Sequence, residues 1–262
     1  MPRVKLSGKV AIVTGGGRGI GRAIALRFAA EGAALALGAT GAQPLEDTAA
    51  EIREKGGRAR TWVTDVADEA AVGRLIAGAV AEFGGLDVLV NNAGIAGPTA
   101  PIVQLERAEW DRTMAINVTG AFLCAKHAVP HLIARGGGRV INITSIAGRI
   151  GYALRSPYAV SKWGMIALTR SLALEVGEHG ITVNAIAPGA VRGERVDAVI
   201  RARAAALGRS AEEVERDFFV APTALRRMIE PEEIAATAVF LASDEAANIT
   251  GETLGVTAGF RL

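Results

Sequence analysis

The chain has 262 residues, half of them hydrophobic and 21% charged, which suits one large α/β domain with a full core and excludes a disordered segment. Its net charge is +2 with a pI near 8.9, and basic residues are interleaved with acids, so no electrostatic case exists for nucleic acid as a partner. A single cysteine, Cys124, excludes an internal disulfide and fits a reducing cytoplasm, and no apolar run is long enough to span a membrane.

Short β-like runs alternate with helical patterns along the chain. Lys9–Thr14 (KVAIVT) reads as a buried strand, and the apolar segment there is too short for a signal h-region. Gly19–Gly32 follows as a helix stopped by a glycine. Ala34–Gly38 is a second strand and Pro44–Lys55 a second helix, then Ala59–Asp65 a third strand and Glu69–Phe83 its helix. Leu86–Gly94 is a fourth strand running into a turn, and one long helical pattern covers about Ala108–Ala134. Gly138–Ser145 is a fifth strand, Tyr158–Val176 a further helix and Ile181–Gly189 a sixth strand. Pro231–Ala242 is a last helix and Gly251–Gly259 a last strand. This alternation predicts a single α/β domain, a doubly wound parallel sheet of about seven strands with helices on both faces. The least regular stretch, Ala190–Thr223, leaves the carboxyl edge of the sheet, where ligands bind in such folds, and reads as a substrate-loop insertion at about 190–224. Its arginines could meet an anionic substrate, but Glu212, Glu213 and Glu215 lie among them and favour a solvated helix pair.

The first turn, TGGGRGIG (Thr14–Gly21), joins the first strand to the first helix. Gly15, Gly19 and Gly21 permit a tight turn and close backbone approach to a pyrophosphate, and the helix N-terminus offers it free N–H groups. A plain βα loop would also use glycine, but this one has the strand–turn–helix setting of a dinucleotide site. In such sites an acid past the glycines binds the ribose 2′-hydroxyl of NAD and repels a 2′-phosphate. Here that position is Ala39, followed by Thr40 and Gly41, while Glu46 and Asp47 belong to the next helix. Arg18 in the turn and the Thr40 hydroxyl are then candidates to hold a 2′-phosphate. The strand end favours NADP(H), with NAD(H) as the second fit.

RSPYAVSKW (Arg155–Trp163) places Tyr158, one of two tyrosines, four residues before Lys162. Residues i and i+4 share a helix face, so both can enter one cleft, although a solvated helix face would read the same. A tyrosine hydroxyl ordinarily keeps its proton to about pH 10, and a neighbouring cation eases its release. Ser145, at the end of the fifth strand, stands where it could donate to a substrate oxygen as charge develops there, with Thr144 as its rival. His127 and His131 lie four apart on one helix, but no third His or Cys is placed to complete a site, so no metal is expected.

TGxxxGxG from Thr14, NNAG (Asn91–Gly94), a Ser thirteen residues before Tyr-x-x-x-Lys, and PG (Pro188–Gly189) after the sixth strand occur in that order. Together they resemble the short-chain dehydrogenase/reductase family over about Leu6–Gly259, within the subgroup that includes 3-oxoacyl-carrier-protein reductases and many sugar and polyol dehydrogenases. The resemblance implies a Rossmann-type fold and hydride transfer between a nicotinamide and a carbonyl or secondary alcohol. It makes Tyr158 the general acid/base, has Ser145 polarise the reacting oxygen, and gives Lys162 the nicotinamide ribose. Asn117 is implied as a fourth member, holding a water that relays protons through the lysine. Asp65 and Val66 are implied at the adenine, Asn91 at the adenosine ribose, and Pro188 and Gly189 at the nicotinamide. Ile20, Ala93, Gly94 and Val191 complete the implied cofactor contacts. The partner implied is a small carbonyl or alcohol, a 3-oxoacyl thioester or a sugar or polyol, and the assembly a homotetramer through the helices at Ala108–Ala134 and Tyr158–Val176. Gly193 stands where relatives often carry Thr, and VTAG (Val256–Gly259) where many carry VDGG. The alternative is a cofactor-binding regulator or scaffold of the same fold without turnover, which would need none of Ser145, Tyr158 and Lys162.

Overall fold

The structure is a computed structural model that describes residues 4–260. Among the described residues the strands are β1 (Val10–Thr14), β2 (Ala34–Ala39), β3 (Arg58–Val63), β4 (Val88–Asn91), β5 (Gly138–Ile143), β6 (Ile181–Pro188) and β7 (Thr253–Val256). The helices are α1 (Gly19–Ala30), α2 (Ala42–Glu54), α3 (Glu69–Phe83), α4 (Arg107–Met114), α5 (Gly120–Ala134), α6 (Ser156–Val176), α7 (Glu194–Leu207), α8 (Ala211–Val214) and α9 (Pro231–Ala242). All strands pair in parallel, in the order β3-β2-β1-β4-β5-β6-β7.

The strands are apolar almost throughout because both faces of the sheet are covered. Pleating sends alternate residues to opposite layers. Ala11 and Val13, Leu35 and Leu37, and Val88 and Val90 pack on one side, while Ile12, Ala36 and Leu89 pack on the other. The first layer is closed by Ile24 and Phe28 of α1, Leu45 of α2 and Ile234 of α9. The second is closed by Val72 and Leu75 of α3, Leu132 of α5 and Val176 of α6. Each such side chain stabilises the fold by roughly 1.5–3 kcal/mol on burial. The strand order turns back between β1 and β4. The crevice outside the carboxyl ends of those strands is where an α/β sheet of this kind binds its ligand.

Two expectations need correction. The single helical pattern at 108–134 is α4, a π-helical turn at Ala115–Thr119, and then α5. Asn117 lies in the wide turn, and its side chain bonds sideways to the backbone of Ile95 and to the Ser161 hydroxyl, which offsets the looser helical ladder. The stretch at 190–223 is helical as the solvated-pair reading has it, formed by α7, α8 and a second π-helical turn at Glu215–Val220, but it is not wholly solvated. Val196, Ile200 and Ala204 recur at one-turn spacing and pack with Val214, Phe219 and Met228 into a small core of their own. The arginines and glutamates between these positions mask the stripe in the sequence.

Candidate active site

The carboxyl edge opens into a cleft of about 1290 Å³. The glycine turn forms its floor at one end. Thr14 Oγ1 accepts from the backbone N–H groups of Asn92 and Ala93, both at 3.0 Å, so the ends of β1 and β4 are locked together. Asn92 Nδ2 donates back to the carbonyls of Thr14 (2.9 Å) and Gly15 (3.2 Å). This clamp leaves no space at Gly21, where a Cβ would stand 2.2 Å from the Gly15 carbonyl oxygen and 2.4 Å from Asn92 Nδ2. The backbone is thereby held bare at the start of α1, as close approach of a pyrophosphate requires, so the residues present fit a dinucleotide. Gly21→Ala is expected to destabilise the protein by about 1–3 kcal/mol in urea unfolding. It should also weaken NADPH binding at least ~10-fold in a fluorescence titration if the displaced backbone cradles the pyrophosphate. Unchanged stability together with unchanged affinity would contradict this account of the turn.

Further along the cleft, Gly19, Ile20, Arg18 and Thr40 line the mouth near the glycine turn, Asp65 and Val66 the next wall, and Ala93 and Gly94 the turn after β4. Pro188, Gly189 and Val191 line it beyond β6. Arg18 is 72% exposed in its side chain, and its nearest acid is the exposed Glu194, 3.9 Å away. Asn91 departs from expectation. It is the last residue of β4, and pleating turns it under α5, where its Nδ2 donates to Asn142 Oδ1 (2.9 Å) and the Ala121 carbonyl (3.4 Å). Its neighbour Asn92 lines the cleft instead.

Ser145 follows β5 by two residues and caps a short 3₁₀ turn, its hydroxyl accepting from the Ala147 N–H at 3.1 Å. Thr144 is committed elsewhere, since its hydroxyl donates to the Lys162 carbonyl at 2.8 Å. Ser145, Tyr158 and Lys162 all line the cleft. Tyr158 is half-buried near the start of α6, with the Lys162 ammonium 5.8 Å and the Arg155 guanidinium 5.1 Å from its ring centre. Lys162 is 3% exposed and donates to the Ile143 carbonyl at 2.8 Å. Burial pushes its ammonium down to about 7, and the charge on Arg195 adds to that.

Asn117 does not line the cleft through its side chain. Its Oδ1 accepts from the Ile95 N–H (2.8 Å), and its Nδ2 donates to the Ile95 carbonyl and to Ser161 Oγ, both at 3.0 Å. The Ser161 hydroxyl in turn donates to the Tyr158 carbonyl at 2.7 Å. Asn117 braces the turn that carries Tyr158 with both of its amide N–H groups, while its Oδ1 keeps one lone pair free. At Gly193 the backbone has φ +128°, which a threonine rarely adopts, so the family's residue at this place would need a different path into α7.

The sequence favours a solvated face for the arginines of 190–216 and does not single out Arg155; the structure divides them. Arg209, Arg216 and Arg192 behave as a solvated face, pairing with Asp217, Glu215 and Glu230. Arg203 does not: it is 9% exposed and packs 4.3 Å over the Phe218 ring and 5.7 Å from the Tyr152 ring. Arg155, at 2% exposure, lies between Tyr152 and Tyr158 and donates to the Ala96 carbonyl at 2.7 Å. Arg195 reaches the Gly94 carbonyl at 2.6 Å. A signal for Arg155 existed, because it stands three residues before Tyr158 where the helix begins. His127 pairs with Glu69 at 3.2 Å.

With that architecture and those side chains in place, the chain belongs to the short-chain dehydrogenase/reductase family, and it is an oxidoreductase of the CH–OH/carbonyl type. Residues 15–261 match the family described as enoyl-(acyl carrier protein) reductase. The chain is 43% identical over 253 residues to the cis-4-hydroxycyclohexanecarboxylate dehydrogenase of Sinomonas cyclohexanicum, covering 96% of each chain. It is 38% identical over 252 residues to a 3-oxoacyl-[acyl-carrier-protein] reductase of Staphylococcus aureus, covering 96% of this chain and 97% of that one. A solved NAD+-bound xylitol dehydrogenase superposes with a TM-score of 0.94 at 36% identity, covering 97% of this chain and all of the other.

Proposed function

We propose that the protein interconverts a ketone and a secondary alcohol with a nicotinamide dinucleotide, using Tyr158 as general acid and base. The observation that carries this is Lys162, an ammonium buried beside Tyr158 and Ser145 in the cleft. Burying that charge lowers stability, and a scaffold would gain nothing in return. When bound, the cofactor supplies the hydride in reduction and takes it in oxidation. In reduction Tyr158 gives its hydroxyl proton to the carbonyl oxygen, and in oxidation it takes the proton back. The Ser145 hydroxyl donates to the same oxygen as negative charge gathers on it. Lys162 holds positive charge beside the tyrosine. Asn117 positions the turn through Ser161. The test is reduction of a panel holding a 3-oxoacyl thioester, a ketose and 4-oxocyclohexanecarboxylate, chosen from the activities named for the relatives. Absence of turnover on every ketone with both NADPH and NADH would defeat the proposal.

Ala39 and Thr40 at the end of β2, with Arg18 opposite, support NADP(H) as the preferred cofactor. A guanidinium contact to a 2′-phosphate contributes about 1.5–3 kcal/mol, so kcat/KM is expected to favour NADPH at least ~10-fold. Equal or better use of NADH would overturn this and point to an acid outside the strand end, with Glu194 the first to test.

The exposed Phe122 of α5 and Val160, Trp163 and Leu174 of α6 lie on the helices read as an interface and support a homotetramer. Sedimentation at micromolar concentration should give four protomers, and a monomer would sink the reading. The proposed place of action is the cytoplasm, and among the described residues no helix is long and apolar enough to cross a membrane.

A further inference from the structure

We infer that the cleft carries a carboxylate subsite built from Arg155 and Arg203, and that the substrate is a keto or hydroxy acid. The inference rests on the oxidoreductase reading above for the word substrate, and on the arginines alone for the subsite.

Both side chains line the same cleft as Tyr158, and both are nine-tenths or more buried. Guanidinium groups are almost never buried unless paired. Here the Nε–H of each lacks a hydrogen-bond partner, and neither side chain has an ion pair among the described residues. Arg155 spends one nitrogen on the Ala96 carbonyl. Arg203 spends a donor on the Tyr152 hydroxyl, and the remaining surroundings are aromatic faces: Tyr152 lies 5.7 Å from each guanidinium, Tyr158 lies 5.1 Å from Arg155, and Phe218 lies 4.3 Å from Arg203. Rings hold a guanidinium in place but do not neutralise it. Two like charges are therefore concentrated in a small, poorly hydrated region, with Arg195 adding a third nearby. Burial pulls Arg155 below its ordinary range, with Arg203 and Arg195 adding to the effect, so an anion placed there would relieve both burdens at once.

The shape favours a carboxylate over a phosphate. The free donors are few and lie on planar guanidinium edges, which match the two oxygens of a flat carboxylate. The first turn of α7, residues 194–196, also lines the cleft, so the phosphate arm of the titration below decides between the two anions. Arg155 touches both Tyr152 and Tyr158, so an anion bound between the arginines lies on the substrate side of the catalytic tyrosine.

The test uses calorimetric titration of the whole protein with cyclohexanecarboxylate, and with cyclohexanecarboxamide and cyclohexyl phosphate as its neutral and phosphorylated counterparts. The carboxylate should bind at least tenfold more tightly than the amide, in keeping with a charge-assisted pair in a dry site. Arg155→Met and Arg203→Met, each checked for folding by circular dichroism, should each erase that difference. Equal binding of acid and amide by the wild type, or no binding of the acid, overturns the subsite without reference to any variant. Phosphate binding tenfold tighter than carboxylate overturns the carboxylate assignment. A second arm compares kcat/KM for 4-oxocyclohexanecarboxylate and its methyl ester, with at least a tenfold preference for the acid expected in the wild type and lost in Arg203→Met. Turnover of neutral ketones without preference for the acid defeats the subsite and leaves the oxidoreductase reading standing. Arginine-dependent carboxylate binding with no turnover of any ketone does the reverse.

Discussion

Replacing Tyr158 by Phe is expected to lower turnover at least ~100-fold, the lower range for losing a general acid–base. The ring stays, so the packing that it provides stays. Arg155 at 5.1 Å and Lys162 at 5.8 Å from the ring centre keep an aromatic face to lie against. Pro157 and Ala159 on either side are buried and unchanged, so α6 should form as before. The glycine turn and its Asn92 clamp are formed by other elements, so NADPH affinity should hold within about twofold, a fraction of the energy of one ordinary hydrogen bond. The one heavy atom removed is the hydroxyl oxygen proposed to donate and accept the proton. Steady-state kcat on any substrate of the wild type measures it, with NADPH fluorescence as the control. A variant that keeps kcat within tenfold would transfer the proton role to another group, and Ser145 would be the next to examine.

The scaffold of this site was readable in the sequence for a specific reason. Strands buried on both faces are mostly apolar and alternate with longer helical patterns, so β1 to β6 were legible as elements, although the edge strand β3 is half exposed. The glycine turn was legible because Gly21 has no room for any side chain. Tyr158 and Lys162 were legible because helix geometry puts them on one face and the thirteen-residue spacing from Ser145 resembles the family's. What escaped depended on distant contacts. Asn91 and Asn92 differ by one residue, and only the pleat at the end of β4 decides which turns under α5 and which meets the cleft. The π-helical turn at Ala115–Thr119 depends on bonds from Asn117 to Ile95 and Ser161, which lie 22 and 44 residues away. Arg203 looks the same in sequence as Arg209, yet one is packed against Phe218 and the other is paired with Asp217. The burial of a charge is a property of the assembled fold, and composition gave the wrong reading for Arg203.

Lys162→Met is expected to remove activity while stabilising the cofactor-free protein at neutral pH. The activity loss should reach about 100-fold, because the variant loses a preorganised positive charge beside the reacting hydroxyl. The stability effect follows from burial. The folded state holds this ammonium with its pKa pushed down to about 7, against an ordinary lysine value of about 10.4 in the unfolded chain. Below pH 7 both states carry the proton, and the wild type bears the full burden of the buried charge. Between pH 7 and about 10.4 the unfolded state binds a proton that the folded state has released, so wild-type stability rises with pH by roughly 1 kcal/mol per unit from this group. Above that window both are neutral and the contribution is constant. The methionine variant has no such group, and making the comparison in a Tyr158→Phe background keeps the neighbouring hydroxyl out of the difference, which then isolates Lys162. Urea unfolding should therefore place the variant above the wild type at pH 7 and bring the two together by pH 10. A gap that stays constant across that range would mean that Lys162 keeps an ordinary proton affinity, and that the Ile143 carbonyl and neighbouring water solvate it well enough to remove the conflict between stability and chemistry at this position.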